Sequence, residues 1–248
     1  IQKENDVIVS NRPMQVLYQN GSVEVRSLEL KYRQGILGVE GLFAPDRSVA
    51  LMINGKNFSV KALGRLFDLP NWDYDGSLSA EARLFGNLDD MQIKATAKID
   101  ELTAAGKKIP EVRAEIEGNR SGIDIAQAFV RLNATSFNLK GRVDLDENIR
   151  PANINLHLFI PEGPISDLTV YLPQVFREAS GTVKADLHLT GRPTNPGISG
   201  DLQMTADQLA FSNMHKLLTK VNFAISTDDR IINIDRLEAN LGRGKLLG

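Results

Sequence analysis

Along most of the chain, hydrophobic and polar residues alternate with a period of two, the repeat that sends successive side chains to opposite faces of a β-strand. Val183, Ala185, Leu187 and Leu189 alternate with Lys184, Asp186, His188 and Thr190. Leu78, Ala80, Ala82 and Leu84 alternate with Ser79, Glu81 and Arg83, and Ile154, Leu156, Leu158 and Ile160 with Asn155, His157 and Phe159. The pattern recurs in Val49/Leu51/Ile53, Val112/Ala114/Ile116, Val221/Phe223/Ile225 and Ile232/Ile234. Turn-forming pairs stand between the runs: Asn20-Gly21, Gly55-Lys56, Gly86-Asn87, Gly118-Asn119 and Thr227-Asp228-Asp229. A long antiparallel meander with one apolar and one solvated face is predicted. Helical spacing occurs twice, at Val60, Leu63 and Phe67, closed by Pro70, and at Ile165, Leu168, Leu172, Val175 and Phe176, interrupted by Pro173. Short helices near residues 60–69 and 165–177 are therefore expected against the apolar face.

The chain also resembles itself. Shifted by 100 residues, Val23-Glu24-Val25 through Gly41 meets Ile123-Asp124-Ile125 through Gly141 without a gap. Shifted by 105, Val49/Leu51/Ile53 meets Ile154/Leu156/Leu158, and Gly76, Leu84 and Gly86 meet Gly181, Leu189 and Gly191. Shifted by 109, Val112/Ala114/Ile116 meets Val221/Phe223/Ile225. Coincident glycines and a coincident helix weigh more than coincident alternation, which any two strands share. One continuous repeat-built segment over 1–248 is expected, with approximate units 23–122 and 123–231 and a partial unit 232–248.

Composition narrows the function. The 29 Lys+Arg nearly balance the 31 Asp+Glu, so no nucleic-acid footprint is present and no nucleic-acid partner is expected. Hydrophobic residues form 42% of the 248, too many for a disordered chain, and no apolar run is long enough for a bilayer-spanning helix. There is no cysteine, which removes disulfides, thiolate zinc sites and cysteine nucleophiles. With no signal-peptide pattern or initiator Met, and with Lys245-Leu246-Leu247-Gly248 ending inside a strand-like pattern, the sequence reads as a piece of a longer protein.

Catalytic chemistry is thin. His157 and His188 fall on the polar phase of their strands and, like His215, read as surface residues. No His pair has i,i+4 spacing, so a structural zinc site lacks a local ligand set. Asp89-Asp90 and Asp228-Asp229 read as turn carboxylates. Gly242-Arg243-Gly244-Lys245 lacks the spacing of a phosphate loop and reads as a basic turn, while Trp72 in Pro70-Asn71-Trp72-Asp73-Tyr74 reads as the plug of a sheet corner. No enzyme, cofactor or metal ligand is expected.

One stretch carries a resemblance: Leu168-Thr169-Val170-Tyr171-Leu172-Pro173, then Gly181-Thr182-Val183-Lys184-Ala185-Asp186-Leu187-His188-Leu189-Thr190-Gly191, Pro196, Gly200-Asp201-Leu202-Gln203-Met204 and Leu237-Glu238-Ala239-Asn240-Leu241-Gly242. It resembles the TamB branch of the AsmA-like superfamily, and Gly76-Ser77-Leu78 through Leu84-Phe85-Gly86 repeats the signature more weakly, with Met91 where Pro196 stands. The resemblance implies an elongated antiparallel sheet bent into a U-shaped groove, the β-taco, with short helices. It also implies the periplasmic part of an inner-membrane-anchored protein that moves phospholipids between the inner and outer membranes or supports outer-membrane protein assembly. The implied partners are phospholipid acyl chains and, through regions outside this segment, an outer-membrane barrel of the Omp85 type.

On that reading the groove lining is Leu78, Ala80, Ala82, Leu84, Ile154, Leu156, Leu158, Val183, Ala185, Leu187, Leu189, Leu202, Met204, Val221, Phe223 and Ile225. The alternative is a structural β-repeat stalk or adhesin-like module with a closed core. Small residues such as Ala80, Ala82, Ala185 and Gly200 suit an open interior and a tightly curved sheet equally well.

Overall fold

The computed structural model describes residues 8–61, 74–104, 106–169, 171, 174–214, 216–228 and 231–248. Strands dominate: β1 (Ile8–Ser10), β2 (Gln15–Gln19), β3 (Ser22–Tyr32), β4 (Gly35–Phe43), β5 (Ser48–Ser59), β6 (Tyr74–Asn87), β7 (Asp90–Ala104) and β8 (Lys107–Asn119) come first. They are followed by β9 (Gly122–Leu132), β10 (Thr135–Leu145), β11 (Pro151–Pro164), β12 (Phe176–Arg192), β13 (Asn195–Phe211), β14 (Leu218–Asp228), β15 (Ile231–Leu241) and β16 (Gly244–Leu247). All belong to one antiparallel sheet that follows chain order from β3 to β16, with β1 and β2 sharing the outer edge of β3, and the sheet does not close on itself. The predicted meander is therefore present. Among the described residues no helix is long and apolar enough to cross a membrane.

Turns fall at Asn20-Gly21 and at Gly242-Arg243, where the glycines have φ of 77° and 60°. The turn predicted at Gly55-Lys56 does not form. β5 runs through it, and a shift of register between Gly55 and Phe58 takes up the irregularity, with Asn57 in the left-handed region. A glycine inside alternating sequence marks a bulge as readily as a reversal. β11 has the matching shift between Ile160 and Gly163.

The predicted helices are also revised. Val60 and Lys61 are helical, whereas Leu63, Phe67, Pro70 and Trp72 lie outside the described residues. Among the described residues the second helix covers Ser166–Thr169, and Phe176, predicted as helical, opens β12 and packs its ring 5.6 Å from that of Phe211. Leu172 and Pro173 lie outside the described residues. Cross-strand pairing with β13 outweighs a helical period of so few residues.

Two compact units make up the chain: residues 1–126 with 147–149, and 127–146 with 150–248. The first holds a single buried hydrophobic side chain among its described residues, Val49. The second has a true core. Ile165 and Leu209, each 1% exposed, gather Ala179, Val183, Ala206, Leu218, Val221 and Ala239, with Leu168, Met204 and Phe223 at the margin. Burial of each large side chain contributes roughly 1.5–3 kcal/mol. The helix Ser166–Thr169 is fixed to the sheet by this cluster on one side and by Asp167 on the other. The Asp167 carboxylate accepts from the Ala134 and Thr135 N–H groups at 2.9 and 2.8 Å.

Candidate functional site

The apolar phase of the strands forms rows, because residues paired across an antiparallel ladder share a face. In the first unit one row runs Leu28, Val39, Ile53, Ala82, Ala95, Ile116. Beside it lie Leu30, Leu37, Gly55, Ala80, Ala97, Ala114 and, on the other side, Gly41, Leu51, Leu84, Ile93, Gly118. Leu78 extends the face between Phe58 and Ile99. Every residue of these rows is half-buried. The sheet covers each side chain from its flanks and, among the described residues, does not bury it from above.

In the second unit the rows grade from accessible to dry. Leu156, Leu189 and Ile198 pair in one row, with Ile154 beside Leu156, and Leu158 and Leu187 pair in the next. Ile160, Ala185, Leu202, Ile225 and Ile234 follow, then Val183, Met204, Phe223 and Leu237. Val183, Ala185 and Val221 are buried, the first and last inside the cluster around Ile165. Ile154, Leu156, Leu158, Leu187, Leu189, Leu202, Met204, Phe223 and Ile225 remain half-buried. The structure thus brings all the sequence-predicted lining positions to the apolar phase and separates them into an accessible majority and a packed minority. What sequence reading missed is that division, since it depends on where the Ile165 segment lands.

The opposite phase is charged and solvated. Lys94 and Glu117 pair at 2.8 Å, and Arg47 and Asp89 at 2.9 Å, both exposed and worth at most about 1 kcal/mol each. An open recess of about 1140 Å³ in the first unit is bordered mainly by this phase, with Glu24, Arg26, Glu40, Arg83 and Lys94 beside Leu42 and Met52. His157 and His188 are here too, directly opposite one another on β11 and β12. His215, Trp72 and Asp229 lie outside the described residues. Asp89 has turn partners, accepting from Arg47 while its own N–H donates to Asn87.

Two equivalent mid-strand positions come unusually close to the backbone of the neighbouring strand. Gly41 and Gly141 have φ of 141° and 133° in mid-strand, and a Cβ there would lie 2.0 and 2.1 Å from the carbonyl oxygens of Ala50 and Asn155. Only glycine permits that approach. The two sites are 100 residues apart and their contacts 105 apart, matching the two sequence shifts.

No protein-family model, curated protein or solved structure matches this chain.

Proposed function

We propose that this chain is a segment of a TamB-like hydrophobic groove, a U-shaped β-taco that carries phospholipid acyl chains across a periplasm and supports outer-membrane biogenesis. The observation that carries the reading is the set of half-buried apolar rows on one phase of the sheet. An acyl chain laid along them exchanges water for hydrocarbon at about 0.8 kcal/mol per CH₂, with no chemical step. The mid-strand glycines at 41 and 141 support a bent sheet. The resemblance of residues 168–242 to the family supplies the cellular setting, and an Omp85-type barrel would be engaged by parts of the protein beyond this segment.

A closed structural stalk is the competing reading, favoured by the dry cluster around Ile165 and Leu209. Mass spectrometry of organic extracts separates the two: phospholipid copurifies with an open groove and not with a closed stalk. Leu187→Arg places a charge on an accessible apolar position, whereas Ala185 is buried and its substitution by Asp would disturb packing as well. Folded Leu187→Arg should lose bound lipid and lipid crosslinking, and Lys184→Asp on the opposite phase should retain both. Equal lipid recovery from both variants would overturn the reading.

A further inference from the structure

We infer that the solvated face of the second unit carries a divalent transition-metal site, of the zinc type, formed by His157, His188 and Asp186. The strand register assembles it. His157 on β11 and His188 on β12 are direct cross-strand partners, and Asp186 lies two residues before His188, hence on the same face. Their imidazole rings stack with centroids 4.4 Å apart and planes 7° from parallel. Both Nε2 atoms approach one oxygen: His157 Nε2 is 2.5 Å and His188 Nε2 3.8 Å from Asp186 Oδ1, and one ligand atom from each residue falls within 4.8 Å of the others.

Donors around a tetrahedral zinc ion, with bonds of about 2.0–2.1 Å, stand roughly 3.3 Å apart. The two separations from Asp186 Oδ1 bracket that value, and turning the His157 and His188 rings out of their parallel stack would aim both Nε2 lone pairs at one ion beside that oxygen. Two imidazoles and one carboxylate are a borderline donor set, suited to zinc and poorly matched to calcium or magnesium, which prefer oxygen throughout. A fourth position stays open to water.

The surroundings point the same way. Asp201 stands directly across from Asp186 on β13, on the same face. Like charges in opposed positions of a sheet repel, and a cation beside Asp186 offsets that repulsion. Lys140, opposite His157 on β10, opposes a cation, yet it is exposed and its long side chain can extend into solvent. The His157, Asp186 and His188 side chains are 22%, 53% and 51% exposed, so an ion can enter and exchange without rearrangement of the sheet. The site lies on the phase opposite the apolar rows, and metal binding there does not depend on lipid carriage.

The test is calorimetric titration of the 248-residue chain with ZnCl₂, alongside Co²⁺, whose visible spectrum reports coordination. One saturable equivalent is expected. It should be lost in the double variant His157→Gln/His188→Gln, weakened in Asp186→Asn, and unchanged in His215→Gln. Imidazole NMR signals of His157 and His188, and not of His215, should move during the zinc titration of the unsubstituted chain, a readout that requires no variant to fold. No saturable binding, binding that survives the double variant, or a signal confined to His215 would each overturn the proposal.

Discussion

Gly163 lies where Thr135 needs room. A Cβ on Gly163 would fall 2.6 Å from the Thr135 Oγ1 and 3.0 Å from its Cβ, while that hydroxyl donates to the Pro164 carbonyl at 3.1 Å. In the first unit the same exchange is reversed. Gly35, 100 residues before Thr135, makes room for Phe58, 105 residues before Gly163, and a Cβ on Gly35 would meet the ring at 2.8 Å. One contact is kept in both units with the large and small partners swapped.

Gly163→Ala should therefore destabilise by about 1–3 kcal/mol through overpacking. Thr135→Gly should recover part of that loss. A double-mutant cycle by chemical denaturation should give a coupling of at least about 0.5 kcal/mol, and strict additivity would show that the two positions do not compete for space.

Asp167 ties the helix Ser166–Thr169 to the turn between β9 and β10. Asp167→Ala leaves the buried Thr135 N–H without its carboxylate and should cost about 2 kcal/mol or more, since hydrogen bonds to charged groups contribute about 1.5–3 kcal/mol. Asp167→Asn, which keeps an acceptor, should cost less. Hydrogen exchange at the amides of Ala134 and Thr135 should accelerate in the Ala variant more than in the Asn variant.

Tyr171 has its phenol held above the ordinary value, first by burial and then by the nearby Asp167 charge. Because the raised group is neutral in its protonated form, the associated stability is fully present below the unfolded phenol's pKa. It is lost as pH rises through the folded one. Alkaline unfolding profiles should show a smaller loss above pH about 10 for Tyr171→Phe than for the unsubstituted chain.

At Gly41 and Gly141 an added methyl meets a carbonyl oxygen and the backbone already occupies a region closed to other residues. Gly41→Ala and Gly141→Ala should each cost about 1–3 kcal/mol from backbone strain, before the collision is counted. Thermal denaturation of the two variants should show comparable losses, and a tolerated alanine at either site would refute the glycine requirement.

The outer half of β15 invites pairing. β16 covers it from Glu238 to Leu241 and Gly248 exchanges two backbone hydrogen bonds with Leu237, whereas among the described residues nothing pairs with its outer edge from Ile231 to Arg236, and Ile231, Ile232 and Ile234 are 63%, 68% and 58% exposed. An open strand edge flanked by isoleucines is a template for another strand. Sedimentation velocity should show concentration-dependent association that Ile234→Lys reduces.

The sequence by itself determined the strands, their alternation and which phase is apolar, because a period of two is a local property that each run carries in its own side chains. Val183 through Leu189 needed no neighbour to announce a strand, and the shifts of 100 and 105 residues already paired Gly41 with Gly141 and Gly76 with Gly181. Gly55-Lys56 was misleading for a local reason too: the same glycine signal serves a bulge and a turn, and pairing with β6 decides between them. Only the tertiary structure decided which apolar residues are dry, since Val183 and Leu189 have the same pattern and differ in whether the Ile165 segment lies over them. It likewise joined His157 to His188 and Asp186. Residues about thirty apart in sequence meet through the register of two strands, and register is fixed by the sum of ladder hydrogen bonds and cross-strand contacts, not by any motif a single strand can display.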